Sequence, residues 1–298
     1  MNTIRIGTSA RGGTFYTQGE AIAAVLRRRG GAAEVRVTPQ TGAINAERLE
    51  AGEIDFGFIA ANWVGRARRG AAPFSRPLGI CLVAPMNLGP LFFIARRDSG
   101  LASVRDLRGR RVVVGPKDGG MANHASVILG AIGVGPGDFT PVWLDFAEGA
   151  EAVASGAADA QLQCPIPNRI MSDLDARVDL KVLDFPGEDL SRVLDASPVH
   201  RATTMPAGAL RALAADTRQP AVLNVLIAHD RTDPEMVRAV IKAMVEGRDE
   251  LARANPLFAG LGAIIEPLLT QGRGALEFDG VKLHEAAAEA WTAAGGRG

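Results

Sequence analysis

The sequence predicts an α/β protein built from two similar Rossmann-like lobes, and two features carry that expectation. Each half of the chain opens with a short apolar strand, a glycine-rich loop and a helix. Ile4-Arg5-Ile6-Gly7 leads into Gly12-Gly13, and Val112-Val113-Val114-Gly115 leads into Gly119-Gly120. Each half then repeats a short helix, a glycine where the helix stops, and an aspartate entering a new strand. In the first half these are Asn45, Gly52 and Asp55; in the second they are Gly149, Gly156 and Asp159.

In the first half, residues 3–7 read as a strand and residues 19–29 as a helix whose Ile22, Val25 and Leu26 fall at helical spacing and face inward. Arg27-Arg28-Arg29 complements the dipole at that helix end, and Gly30-Gly31 terminates it. Residues 34–38 alternate, with Val35 and Val37 inward. Thr41-Gly42-Ala43-Ile44-Asn45 turns into a helix over 45–51, and residues 54–60 form a third, nearly all-apolar strand, as a parallel strand covered on both faces should be. It ends at Ala61-Asn62-Trp63. Ligands of open α/β sheets sit beyond the carboxyl ends of the strands, so these ends define one wall of a pocket. Residues 78–85 and 90–96 are two further strands, the second expected to cross between lobes. A short helix near 104–107 follows, with Ser103 as its N-cap.

The second half repeats the layout. Strands are expected over 111–115, 141–144 and 160–163, and helices over 121–131, with Ala125, Leu129 and Ile132 inward, and over 148–155. The last of these strands ends at Cys164-Pro165-Ile166-Pro167-Asn168. From 169 to 216 the pattern weakens to helices over 169–176 and 188–196, a strand over 180–184 and a Pro/Thr-rich loop. The apolar run 220–229 returns the chain to the first lobe. The rest is helical: 233–248, started by Asp233-Pro234, then 250–253, 261–269 and 284–291. Lobe one is thus residues 1–93 and 226–298, and lobe two residues 94–225. Two crossings permit hinge closure around a ligand.

At 298 residues the chain is long enough for both lobes, and its 33 basic and 33 acidic residues give no net charge. With no basic stripe and interleaved aromatics, nucleic acid is not an expected partner. Arg66, Arg68 and Arg69 read as a solvated face. Cys81 and Cys164 read as two separate thiols, no Cys/His spacing suits zinc, and no metal or cofactor is expected. No apolar run is long enough to cross a membrane, so direct insertion is not expected. The first strand begins within a few residues of Met1. The location is therefore periplasmic if a leader has been removed, and cytoplasmic if Met1 is the native start.

The glycine corners carry the functional signal. Glycine lets the backbone turn tightly and approach a ligand, and the helix behind it aims N–H groups and a partial positive charge at the same spot. That combination suits a carboxylate or another anion. It is not a nucleotide loop, because no Gly-Lys-Ser/Thr closes it and no Gly-x-Gly-x-x-Gly is present. Two such corners facing each other would form a cleft.

Several ordered motifs resemble those of a known family. Ile6-Gly7-Thr8-Ser9 with Gly12-Gly13-Thr14-Phe15-Tyr16 resembles the opening Gly-Thr-Gly-Ser and Gly-Gly-Thr-Tyr-Tyr of the TAXI-type solute-binding receptors of TRAP transporters. Thr41-Gly42-Ala43-Ile44-Asn45 is similar to that family's Thr-Gly-Gly-Ser and Asn. Leu107-Arg108-Gly109-Arg110-Arg111-Val112 with Val114-Gly115, and Gly156 with Asp159-Ala160, resemble its strand entries. The resemblance implies a type II periplasmic binding-protein fold. It also implies that an interlobe cleft closes by hinge motion on a small carboxylate (glutamate-, dicarboxylate- or aromatic-acid-like) for a TRAP membrane permease. The chain departs from the family with Asn62 where Asp is usual, with Asp118-Gly119-Gly120-Met121 where Gly-Ser-Gly-Thr is usual, and at Cys164-Pro165-Ile166-Pro167. Arg11 and Lys117 are extra cations. A neutral Asn and two added cations favour a more negatively charged ligand.

The expected ligand-facing residues follow from the corners and the resemblance. Ser9, Arg11, Gly12, Gly13, Thr14 and Tyr16 form the first corner, and Thr41, Gly42 and Asn45 the next turn. Asn62 and Trp63 stand at the third strand end. Lys117, Gly119, Gly120 and Met121 form the second corner, with Cys164 and Pro165 at its strand end. Plainer readings stand beside these. Arg11 could fork onto a carboxylate or lie in solvent. Lys117 and Asp118 could neutralise one another. Trp63 could stack on the ligand or wedge between lobes. His124 reads as surface or packing, and Cys164 has no acid–base partner that the sequence can place beside it. No catalytic residue is expected. The alternative is an enzyme on the same fold, such as an aromatic-acid decarboxylase, resting on His124, Lys117 and Cys164.

Overall fold

The computed structural model describes residues 3–38, 42–117, 119–163, 166 and 168–295. The chain divides into two units, one formed by Met1–Asn87 and Leu223–Gly298, the other by Leu88–Val222. Each is a sheet with helices packed on it, and both follow the same plan.

In the first unit, β1 (Ile4–Gly7), α1 (Thr14–Arg28), β2 (Ala33–Arg36), α2 (Ala43–Glu50) and β3 (Phe56–Ala60) alternate along the chain. β1 lies between β2 and β3 and runs parallel to both, with Ile6 opposite Val35 and Phe56. Ile6, Phe56, Phe58 and Ile59 of the sheet and Ile22 and Val25 of α1 are fully buried. Burial of such side chains contributes about 1.5–3 kcal/mol each. α3 (Ala61–Arg69) starts directly where β3 stops. The sequence reading ends the third strand at Ala61-Asn62-Trp63. The structure instead carries 61–69 as a helix that buries Ala61, Asn62, Trp63, Val64 and Ala67, leaves Arg68 and Arg69 exposed, and ends at Gly70.

β4 (Ile80–Pro90) is one long strand rather than the end of one and the start of another, and it carries the chain into the second unit. β5 (Phe92–Arg96), expected to be the crossing, belongs to the second sheet. There, β6 (Arg111–Val113), α4 (Gly120–Ala131), β7 (Thr140–Val142), α5 (Phe146–Ser155) and β8 (Ala160–Gln163) repeat the first unit's alternation. β6 lies between β7 and β8, parallel to both, and β5 runs antiparallel to β8. α6 (Arg169–Arg177), β9 (Leu180–Val182) and α7 (Asp189–Asp195) complete the weakly patterned segment. Within it, a strand stands where the sequence reading had a loop: β10 (His200–Met205) pairs antiparallel with the first half of β11 (Thr217–His229). The second half of β11 pairs antiparallel with β3, Asn224 lying opposite Ala60. The unit-two core gathers Phe92, Ile94, Val113, Val153, Met171 and Leu174.

Of the C-terminal helices, α8 (Pro234–Glu246) and α9 (Arg248–Ala254) pack on α1 in the first unit, while α10 (Leu261–Gln271) packs on α9 and α11 (Glu285–Gly295) on α8 and α10. Asp233 caps α8 by accepting from the Glu235 N–H at 2.9 Å, with Pro234 in the first turn.

The duplication extends to side chains. In the first unit, Arg5 holds Asp55 by its main-chain N–H (2.8 Å) and guanidinium (2.7 and 3.0 Å) while reaching the Gly52 carbonyl at 2.9 Å. In the second, Arg111 does the same to Asp159 (2.7, 2.8 and 3.2 Å) and to the Gly156 carbonyl at 2.8 Å. Gly52 and Gly156 both sit at positive φ, 72° and 79°, which side chains with a Cβ rarely adopt. The repeated Gly-x-x-Asp is thus a strand-entry clamp made twice.

Candidate functional site

Both glycine corners have one geometry. In the first, the Gly13 N–H donates to the Ala10 carbonyl at 2.9 Å, and Gly13 adopts an extended conformation (φ −73°, ψ 163°) as the N-cap of α1. In the second, the Gly119 N–H donates to the Pro116 carbonyl at 3.0 Å, and Gly119 caps α4 at φ −79°, ψ 169°. Neither cap supplies a side chain to its helix, and neither first turn contains an acid. Partial positive charge at both termini is therefore uncompensated from within the helix. The structural match pairs Gly13 with Gly119, so Gly120 corresponds to Thr14.

Around the first corner, Ser9 Oγ accepts the Tyr16 N–H at 3.2 Å, tying the loop to the first turn of α1. Arg11 is exposed; its guanidinium lies over the Tyr16 ring, 5.8 Å from the centroid, and donates to the Tyr16 hydroxyl at 3.3 Å. Gly42 approaches β3 so closely that a Cβ there would stand 2.9 Å from the Phe58 carbonyl and 3.2 Å from the Phe15 ring. Asn45 spends both amide hydrogens on the Thr8 and Phe58 carbonyls (2.9 Å each) and accepts from Thr38 at 2.7 Å. It joins the carboxyl ends of β1 and β3, and its work is internal.

Asn62 is different. It is 8% exposed, and neither its Oδ1 nor its Nδ2 has a hydrogen-bond partner among the described residues. Leaving a buried amide unpaired costs about 1–3 kcal/mol, so such a group calls for an explanation. Trp63, its neighbour, is packed edge-on to Phe74 (6.5 Å) with Arg66 over its ring. Thr41, Cys164 and Pro165 lie outside the described residues, as does Asp118. In the second unit, Lys117 is exposed and Met121 half-buried beside Gly115.

Sequence reasoning missed other buried polar groups, and it named His124 as surface or packing without the partner it packs against. In the first unit, Gln18 donates to Asn87 Oδ1 at 3.1 Å and Asn224 to the same oxygen at 3.4 Å. In the second unit, His124 Nδ1 lies 2.9 Å from His200 Nε2. Burial, then the neighbouring His200, pushes His124 down to about 3; burial, then Arg201, pushes His200 to about 4. Both imidazoles are neutral at physiological pH. The available signal was an amide or imidazole inside an apolar run, as at Asn224 within Ala221-Val222-Leu223-Asn224-Val225-Leu226. Among the described residues, no group of three or more His, Cys, Asp or Glu side chains could hold a metal ion, and no helix is long and apolar enough to cross a membrane.

Two α/β units of the same plan, joined by two strands, define the periplasmic binding-protein fold. Solved structures agree on that fold. The Escherichia coli periplasmic aliphatic sulphonate binding protein SsuA matches with a TM-score of 0.58 at 16% identity, covering 89% of this chain and 75% of that one. A putative sulfonate-binding SsuA of Methylobacillus flagellatus matches at 0.56 and 18% (85% and 69% covered), and an ancestral arginine-binding protein at 0.53 and 14% (85% and 97%). The family model described as NMT1-like family matches residues 6–294, so the chain belongs to the NMT1-like family.

Proposed function

We propose that the chain is a non-catalytic solute-binding protein that captures a small carboxylate (glutamate-, dicarboxylate- or aromatic-acid-like) by hinge closure of its two units. The observation that carries the reading is the pair of equivalent glycine corners, each starting a helix at a glycine N-cap with no first-turn acid. The fold supports it, since the neighbours of that fold are named for binding sulphonate and arginine. We assign the chain to the TAXI type on its motifs, with a TRAP membrane permease as partner and the periplasm as its location. Gly13, Gly119 and Asn62 are the residues proposed to meet the solute.

The decarboxylase alternative gains nothing from the described residues on which it rested. His124 is buried against a second neutral imidazole, and Lys117 is exposed. The test is a thermal-shift screen against a carboxylate library, followed by mass spectrometry of each hit. A ligand that binds only the native state raises the melting temperature by mass action, and it should be recovered unchanged. Shifts from sugars or cations with none from organic acids would overturn the ligand class; release of carbon dioxide would overturn the non-catalytic reading.

A further inference from the structure

The first unit buries an unusual set of groups where β3 ends. Asn224 lies opposite Ala60, two residues before Asn62, and cross-strand partners share a sheet face. Phe58, on that same face, stacks on Phe15 of α1 at 5.4 Å, so this is the face that α1 covers. Gln18, one turn further along α1, bonds Asn87, and Asn87 in turn accepts from Asn224. Gln18, Asn87 and Asn224 therefore gather beside Ala60 at the carboxyl end of β3, and Asn62 follows two residues later in the first turn of α3; the four carboxamides are 0%, 2%, 4% and 8% exposed. Their hydrogen bonds do not close. Gln18 Oε1, Asn87 Nδ2 and both polar atoms of Asn62 have no partner among the described residues. Two acceptors and two donors are left over.

The charge setting narrows what can meet them. Among the described residues of the first unit, no Asp, Glu, Lys or Arg is buried. A carboxylate only accepts, so it could answer the two N–H groups while facing the two carbonyl oxygens with like polarity. An ammonium only donates, and it would be desolvated with no buried acid to match it. A neutral group carrying both N–H and C=O answers donors and acceptors together. Exchanging O and N in Asn62, or in Gln18 and Asn87 together, leaves that conclusion unchanged, since Asn62 offers one of each and the bonded pair leaves one donor and one acceptor either way.

We infer that the first unit reads a neutral amide-type end of the solute, a carboxamide, ureide or cyclic imide, through Asn62 and the Gln18–Asn87 pair, while the carboxylate end goes to a glycine corner. This rests on the carboxylate-binding reading and narrows it: the solute is an amide-acid rather than a diacid. Asn62 is a recognition residue here, and Asn224 holds Asn87 in place.

The experiment compares matched probes on the wild-type protein by calorimetry: succinamate against succinate, glutaramate against glutarate, and phthalamate against phthalate. At least one monoamide should bind about tenfold or more tightly than its diacid. Asn62→Asp, which keeps the shape and replaces a donor by an acceptor, should weaken that monoamide about tenfold and erase the margin. Diacids that bind as tightly as their monoamides overturn the amide assignment, as does a margin unchanged in N62D, or no monoamide binding. In those cases a hit among other carboxylates keeps the carboxylate reading standing. Absence of any acid hit overturns both.

Discussion

The His124–His200 contact makes a quantitative prediction about acid stability. Both imidazoles are 3% exposed and sit 2.9 Å apart, held at about 3 and about 4 against an ordinary value of 6.5. Because the folded values are depressed, the unfolded chain binds protons first as pH falls, and stability drops from pH 6.5 downward until the folded pair itself titrates. Each histidine then costs about 1.4 kcal/mol per pH unit, so lowering the pH to about 5 removes roughly 4 kcal/mol through the two together. The perturbation is the double variant His124→Leu/His200→Leu, which replaces both partners by apolar groups and so leaves no orphaned nitrogen. Urea unfolding followed by circular dichroism at pH 7 and about pH 5 measures both proteins. The wild type should lose roughly 4 kcal/mol more than the variant over that interval. Equal losses in the two proteins would refute the reasoning, because the pair would then titrate alike folded and unfolded.

The remaining predictions concern the duplicated clamps and the first corner. Asp55→Ala and Asp159→Ala each remove a doubly bonded carboxylate, but Asp55 is 15% exposed and Asp159 24%, so urea unfolding should show about 2 kcal/mol lost for the first and about 1 for the second. A larger loss for Asp159→Ala would contradict the burial ranking. Gly42→Ala places a methyl 2.9 Å from the Phe58 carbonyl, a backbone atom that cannot swing away, and should lower stability by about 2 kcal/mol while weakening carboxylate binding in calorimetry. Asn45→Ala strips the Thr8 and Phe58 carbonyls of their shared donor and should cost about 2–3 kcal/mol. A near-neutral Asn45→Ala would show that those carbonyls find water instead.

The plan of each unit was readable because its signals are local. Strand, corner and helix followed from short apolar runs, glycines and helical spacing in both halves, and the Gly-x-x-Asp repeat marked strand entries that the structure realises as the Arg5–Asp55 and Arg111–Asp159 clamps. The elements that escaped are those set by partners distant in the chain. Ala61–Arg69 carries little apolar periodicity beyond Trp63 and Val64, and it is a helix because Trp63 packs on Phe74 and Ala67 is buried. His200–Met205 is polar in composition and becomes a strand by pairing with Thr217–Val222.

The same division between local and distant determinants runs through the candidate site. Glycines announce a corner in sequence because a backbone requirement admits few residue types. Amides announce nothing: Asn45 and Asn62 look alike in the chain, yet one gives both its hydrogens to carbonyls of the fold and the other has no hydrogen-bond partner among the described residues. What separates them is where their neighbours stand in three dimensions. A folded protein tolerates a buried, unpaired carboxamide only at a cost of about 1–3 kcal/mol, and a binding partner that completes those bonds recovers it. Asn62, Gln18 and Asn87 are therefore where selection for a ligand would show against selection for stability. Replacing Asn62 by Leu should raise the melting temperature of the free protein while abolishing the solute-induced shift, an opposition that a purely structural amide would not produce.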